Sequence, residues 1–163
     1  MMGLSVLLIF AHLLFSSSFC LAQSQLPAPD GSGIELTIAT KSEVVKAGND
    51  VLLDITIKNL HKDPYCTNET RENRHAELNG YVVEVIDAEG KLVPMTRLVW
   101  PRVGSIASRC VDPGKTFSKD MTVNHLVDIS NPGIYHIRVS HRDKITNEIV
   151  WSNSITVTIE PPS

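Results

Sequence analysis

The stretch Asn131-Pro132-Gly133-Ile134-Tyr135-His136-Ile137-Arg138-Val139 constrains the fold more than any other. A polar residue and a Pro-Gly pair make a tight turn, and the turn runs straight into strict alternation of apolar and polar side chains. A tyrosine four residues after the opening of such a turn, at the start of a late strand, is placed to send its hydroxyl back to the turn backbone. That is the sequence form of a tyrosine corner, with Asn131 and Tyr135 as its two ends, and it locks a crossover between two packed sheets.

The rest of the chain has the same period. Ile34-Glu35-Leu36-Thr37-Ile38 alternates, as does the clearest strand, in which Val51, Leu53, Ile55 and Ile57 face the core and Asp54, Thr56 and Lys58 face water. Tyr81–Asp87 reads as a strand, and Ala88-Glu89-Gly90-Lys91 turns it back into Leu92-Val93 as a hairpin. Asp112-Pro113-Gly114-Lys115 is a strong turn before a strand carrying Phe117, Met121 and Val123. Tyr135, Ile137 and Val139 are expected to point inward, with His136, Arg138 and Ser140 outward. In the last strand Ile149, Trp151, Ile155, Val157 and Ile159 share one parity and are expected in the core, opposite Ser152, Ser154, Thr156 and Thr158. Segments 61–80 and 101–112 are too polar or too irregular for either period and read as loops; 96–100 reads as a short strand. Seven to nine short strands separated by turns, with no long helical period, give an all-β Greek-key sandwich of the immunoglobulin-like kind.

The chain opens with an apolar run, Leu4 to Phe15, followed by a serine cluster and Cys20-Leu21-Ala22. It is too short for a membrane span, so residues 1–22 read as a secretory signal peptide cleaved after Ala22. Residues 23–33 (QSQLPAPDGSG) form a flexible linker, and residues 34–160 one domain. The expected location is secreted or periplasmic, with no membrane association beyond export. A net charge of −3 argues against nucleic acid and anionic membranes as partners. Beyond the leader only Cys66 and Cys110 remain of three cysteines, and in an oxidising compartment the pair is expected to form a disulfide.

The Pro-Gly-Lys turn at 113–115 and the run Leu126-Val127-Asp128-Ile129-Ser130-Asn131-Pro132-Gly133-Ile134-Tyr135 resemble bacterial extracytoplasmic immunoglobulin-like domains. With Asp54–Asn59 and Val85–Lys91, they also resemble the domain of Bacillus-type proteinase inhibitors. The resemblance implies an architecture for residues 34–160 and no inhibitory residue, and Cys66 and Cys110 do not occupy the inter-sheet positions of antibody domains.

Three clusters carry possible chemistry. His61, Cys66 and His75 share a segment with Asp63, Glu69, Glu72 and Glu77, a ligand mixture zinc accepts, but H-x4-C-x8-H matches no finger or enzyme pattern. A solvated loop stapled by Cys66 to Cys110 accounts for it better, and no metal or cofactor is expected. His136, Arg138 and Ser140 beside Ser152, Ser154 and Thr156 bring serine and histidine to one face, yet no nucleophile elbow accompanies them. Leu98 to Cys110 mixes Trp100, Arg102 and Arg109, residue types favoured as interface anchors. Asn68-Glu69-Thr70 is a glycosylation sequon, relevant in a eukaryotic source. The expectation is a non-catalytic binding module that meets another protein or a surface polymer through loops 61–79 and 97–112, with Trp100, Arg102 and Arg109 in contact. The alternatives are a peptidase inhibitor acting through the 100–110 loop and a metal-dependent enzyme using the 61–77 loop.

Overall fold

The computed structural model describes residues 33–70, 80–96 and 106–162. Among them the chain forms ten strands: β1 (Ile34–Thr40), β2 (Val44–Lys46), β3 (Leu52–Asn59), β4 (Tyr65–Thr70), β5 (Tyr81–Asp87), β6 (Ile106–Val111), β7 (Thr116–Thr122), β8 (Gly133–Arg142), β9 (Ile149–Trp151) and β10 (Ile155–Glu160). One sheet has the order β1-β3-β7. The other has the order β2-β10-β8-β5, with β9 also paired to β8. Thus β1, β2 and β3 alternate between the two sheets, β7 and β8 lie in opposite sheets, β8 to β10 stay in one, and the result is an immunoglobulin-like Greek-key β-sandwich.

Alternation decides which face is buried. Leu53, Ile55 and Ile57 of β3 have no solvent exposure, and they meet Val85, Ile137, Val139 and Val157 of the other sheet in one dry interior. Each such side chain contributes about 1.5–3 kcal/mol of burial free energy. A one-residue slip of β3 against its partners would bring Asp54, Thr56 and Lys58 inward, so the pattern also fixes register. At the crossover the Tyr135 hydroxyl donates to the Asn131 carbonyl at 2.9 Å. The Asp112–Lys115 turn places Gly114 at φ 72°, where a side chain would be strained, and the Lys115 amide returns to the Asp112 carbonyl.

Several expectations are corrected. Segment 61–80 contains a strand, β4, and segment 101–112 contains another, β6. The two pair antiparallel as a separate two-stranded ribbon in which Cys66 lies directly opposite Cys110. Both cysteines therefore sit on strands and not in loops, and these strands with β2 raise the count to ten. The return arm after the Ala88–Lys91 turn is a single bridge, Ile86 to Leu92, not a full strand. Residues 97–100, part of the expected short strand at 96–100, lie outside the described residues.

The last strand is also not continuous. β8 pairs with β9 in the register Ser140↔Trp151, but with β10 in the register Ile137↔Ile155, so one extra residue is accommodated between them. Such a bulge reverses which face each side chain takes. Trp151 and Ile149 therefore lie outside, 39% and 55% exposed, while Val157 and Ile159 stay inside. Asn153 sits in the bulge and acts as a strand partner in miniature. Its Oδ1 accepts from the Ile38 amide at 2.8 Å and its Nδ2 donates to the Ile38 carbonyl at 2.9 Å, tying β1 to the opposite sheet. Ser140, expected at the surface, is buried, bracketed in register by the larger Val82 and Trp151.

Candidate functional site

The β4–β6 ribbon leans on the side of the sandwich where β7 and β5 are the edge strands, a place where an uncovered sheet edge invites unwanted pairing. Its inward side chains are Tyr65, Thr67 and Val111, all buried. Arg109 reaches back over the Phe117 ring of β7 at 4.6 Å, and Lys119 of β7 spans to the Tyr81 ring of β5 at 4.9 Å. These cations close the open side of the core with their stems while their heads rest on aromatic faces.

Tyr65 is the anchor. Its side chain has no solvent exposure, and its hydroxyl lies 3.1 Å from His141 Nε2 and 3.4 Å from the Lys144 amide. The other ring nitrogen of His141, Nδ1, lies 3.0 Å from the Gly80 carbonyl. A carbonyl only accepts, so Nδ1 carries the proton. With the ring neutral, Nε2 accepts from the Tyr65 hydroxyl, which also faces the Arg142 carbonyl at 3.5 Å and accepts from the Lys144 amide. The Tyr81 ring stacks on His141 with centroids 4.5 Å apart, and Tyr65 meets His141 edge-on at 6.4 Å. Burial pushes the Tyr65 phenol up to about 12; the Lys144 amide opposes this and the nearby Asp143 charge adds to it.

Beside this chain lies a second pair. His61 Nε2 donates to Asp143 Oδ2 at 2.8 Å, with both residues buried. The other carboxylate oxygen, Oδ1, accepts from the Ile145 and Thr146 amides at 2.8 and 3.3 Å, which shapes the β8–β9 turn. The His61 ring stacks on Tyr65 at 5.7 Å. Its amide donates to Asn59 Oδ1, and Asn59 Nδ2 donates to the Asp63 and Val111 carbonyls. Thus β3, β4, β6 and β8 are knotted together at one end by side chains whose polar atoms are engaged with one another. Such a cluster holds geometry; its histidines and carboxylate are already committed.

The expected site residues fall as follows. Cys66 and Cys110 are bonded, as the sequence predicts, at S–S 2.02 Å. Cys66 is therefore not a thiolate ligand, and His61 is bound to Asp143, so the His61–Cys66–His75 zinc set is not assembled here. His75, Glu72 and Glu77 lie outside the described residues, as do Trp100 and Arg102. Among the described residues no group of three His, Cys, Asp or Glu side chains stands ready for a metal ion. On the outer face of the larger sheet, His136 Nδ1 lies 3.1 Å from Thr156 Oγ1, whereas Ser152 is buried and its Oγ donates to the Asn153 carbonyl while accepting from the Val139 amide. His136 is paired with Thr156 and Ser152 with the backbone, so no serine–histidine pair of the kind hydrolysis needs is formed between them. Arg138 binds Glu84 at 2.6 Å and covers the Trp151 ring at 4.2 Å.

Sequence reasoning did not find Tyr65, His141 or Asp143. The available signal was weak: Tyr65 and Thr67 alternate with Cys66 and Asn68, a strand period disguised by polar side chains.

Neither a protein-family model nor a curated protein sequence matches the chain. Solved structures with a related course of the backbone include a CARDB domain from Pyrococcus furiosus, in complex with di-metal ions, at 12% identity and TM-score 0.44 over 83% of this chain and 99% of that one. The sporulation control protein Spo0M from Bacillus subtilis is similar at 9% identity and TM-score 0.43, over 79% of this chain and 50% of the other. A β-glucosidase from Listeria innocua matches at 13% identity and TM-score 0.40, over 78% of this chain and 16% of the enzyme. With TM-scores below 0.5, neither the metal ions of the first nor the glycosidase chemistry of the third transfers to this chain. Nothing among them supports the proteinase-inhibitor resemblance. The disulfide fits a compartment outside the cytoplasm. Among the described residues no helix is long and apolar enough to cross a membrane.

Proposed function

We propose that this is an exported, non-catalytic binding module that meets another protein or a surface polymer through the exposed margin of the β4–β6 ribbon, where Arg109 lies over Phe117 and remains open to solvent, and the segments joined to it. The observation that carries the reading is the way the ribbon is held. A two-stranded ribbon is marginal by itself. This one is docked by a buried tyrosine, cross-linked by a disulfide and braced by Arg109 on Phe117. Holding a surface element rigid lowers the ordering cost of binding. Net charge of −3 favours a partner other than nucleic acid. Export rests on the apolar leader and the disulfide.

The test is differential capture from native surface or secreted material on the immobilised chain. Arg109→Ala is expected to abolish retention of the captured species, whereas Arg138→Ala, on the outer face of the other sheet, leaves it intact. Equal retention by both variants would refute the ribbon as the contact surface.

A further inference from the structure

The Cys66–Cys110 bond has an unusual setting for a structural staple. Both residues are exposed, and they lie directly opposite one another in an antiparallel ladder. The ribbon that carries them pairs with no third strand among the described residues. The ladders of the two main sheets contain no ribbon residue, and of the ribbon only Tyr65 belongs to the central core cluster.

We propose that this disulfide is a reversible redox switch that sets the order of the β4–β6 ribbon without unfolding the sandwich. The thiolate of a small or protein dithiol attacks one exposed sulfur, and the other cysteine leaves as a thiolate and takes up a proton. The second thiol of the reductant then displaces the mixed disulfide. The chain gains two electrons and two protons as a pair of thiols, and the reductant leaves oxidised to its own disulfide. The five remaining paired positions of the ladder keep the two thiols in register, so an oxidant re-forms the same bond. In the reduced state the ribbon depends on two-strand pairing, the Tyr65 anchor, the Arg109–Phe117 contact and the Asn59 bond to the Val111 carbonyl, and it opens more often than the core. That opening weakens partner binding is a consequence that rests on the reading proposed above.

The experiment treats the native, oxidised chain with dithiothreitol without denaturant, alkylates with iodoacetamide, and maps amide hydrogen exchange by mass spectrometry. The expected result is alkylation of both cysteines, protection reduced at least tenfold across 65–70 and 106–111, and unchanged protection in β3 and β8. Oxidised glutathione should restore protection in the unalkylated reduced protein, and Cys66→Ser/Cys110→Ser should reproduce the reduced pattern. Alkylation that needs denaturant, protection lost uniformly, or a double variant that does not fold would each overturn the switch. Partner capture is read on the same samples: a loosened ribbon with undiminished capture upholds the switch and refutes the binding surface, so the two failures separate.

Discussion

Replacing Tyr65 by Phe tests the anchor with little change of shape. The ring stays, and only the hydroxyl between His141 Nε2 and the Lys144 amide is lost. Lys144 is exposed, so its amide finds water. His141 is 1% exposed, so Nε2 keeps an unfilled acceptor site in a dry setting. Stranding a buried polar atom costs about 1–3 kcal/mol, and we expect about 2 kcal/mol here. Tyr135→Phe is the internal comparison. It removes one hydroxyl bond to a carbonyl of Asn131, an exposed residue that water can serve, so about 1 kcal/mol or less is expected. Urea unfolding at pH 8 with unchanged slope gives both values. The double variant Tyr65→Phe/His141→Phe should cost less than the sum of the two single variants, because the stranded acceptor is removed with the donor. A Tyr135→Phe cost equal to or above that of Tyr65→Phe would refute the reasoning.

Three further outcomes are expected. The Tyr65 phenol ionises near 12 in the folded chain against 10.0 for a free tyrosine, so the native state holds its proton longer; the associated stability is complete below pH 10, is lost between pH 10 and 12, and amounts to roughly 2–3 kcal/mol. Urea midpoints from pH 9 to 11 should fall more steeply for the native sequence than for Tyr65→Phe, and parallel curves would contradict this. Asn153→Ala removes both bonds to the Ile38 backbone and should cost about 1–3 kcal/mol, with amide exchange rising first at Ile38; a change confined to the β8–β9 turn would argue against the clamp. Asp54 and Asp120 lie opposite each other on β3 and β7; a hydrogen bond with Asp120 raises Asp54, and the same bond together with Lys41 lowers Asp120. Asp54→Asn keeps a donor to Asp120 and removes the like charge, so the urea midpoint at pH 7 should hold or rise, and a clear fall would count against this account of the pair.

How far the fold could be read depended on whether the physical cause was local. β3 was legible because its two faces meet different solvents, and Leu53, Ile55 and Ile57 record that at every second position. The Asp112–Lys115 turn was legible because Pro113 and Gly114 set their own torsions. The disulfide followed from there being two cysteines beyond the leader. The ribbon was hidden because its inward positions, Tyr65, Thr67 and Val111, include a hydroxyl at the centre, and no apolar period survives. The bulge at Asn153 was hidden because a single inserted residue leaves each half of the pattern intact while reversing one against the other. That is why Ile149 and Trp151 were expected inside. The polar cluster was hidden for a topological reason: Tyr65 meets His141, and His61 meets Asp143, across 76 and 82 positions of sequence. No local pattern announces a pairing of that span.

The central claim is that the polar cluster is a closed structural anchor, with Tyr65 donating to a neutral His141. Long-range proton–nitrogen correlation spectra of the imidazole rings at pH 8 read this directly. His141 should show the proton on Nδ1 and a bare, hydrogen-bonded Nε2, with a slowly exchanging Tyr65 hydroxyl proton near it. A His141 protonated on Nε2, or a ring averaging between tautomers as free histidine does, would contradict the account.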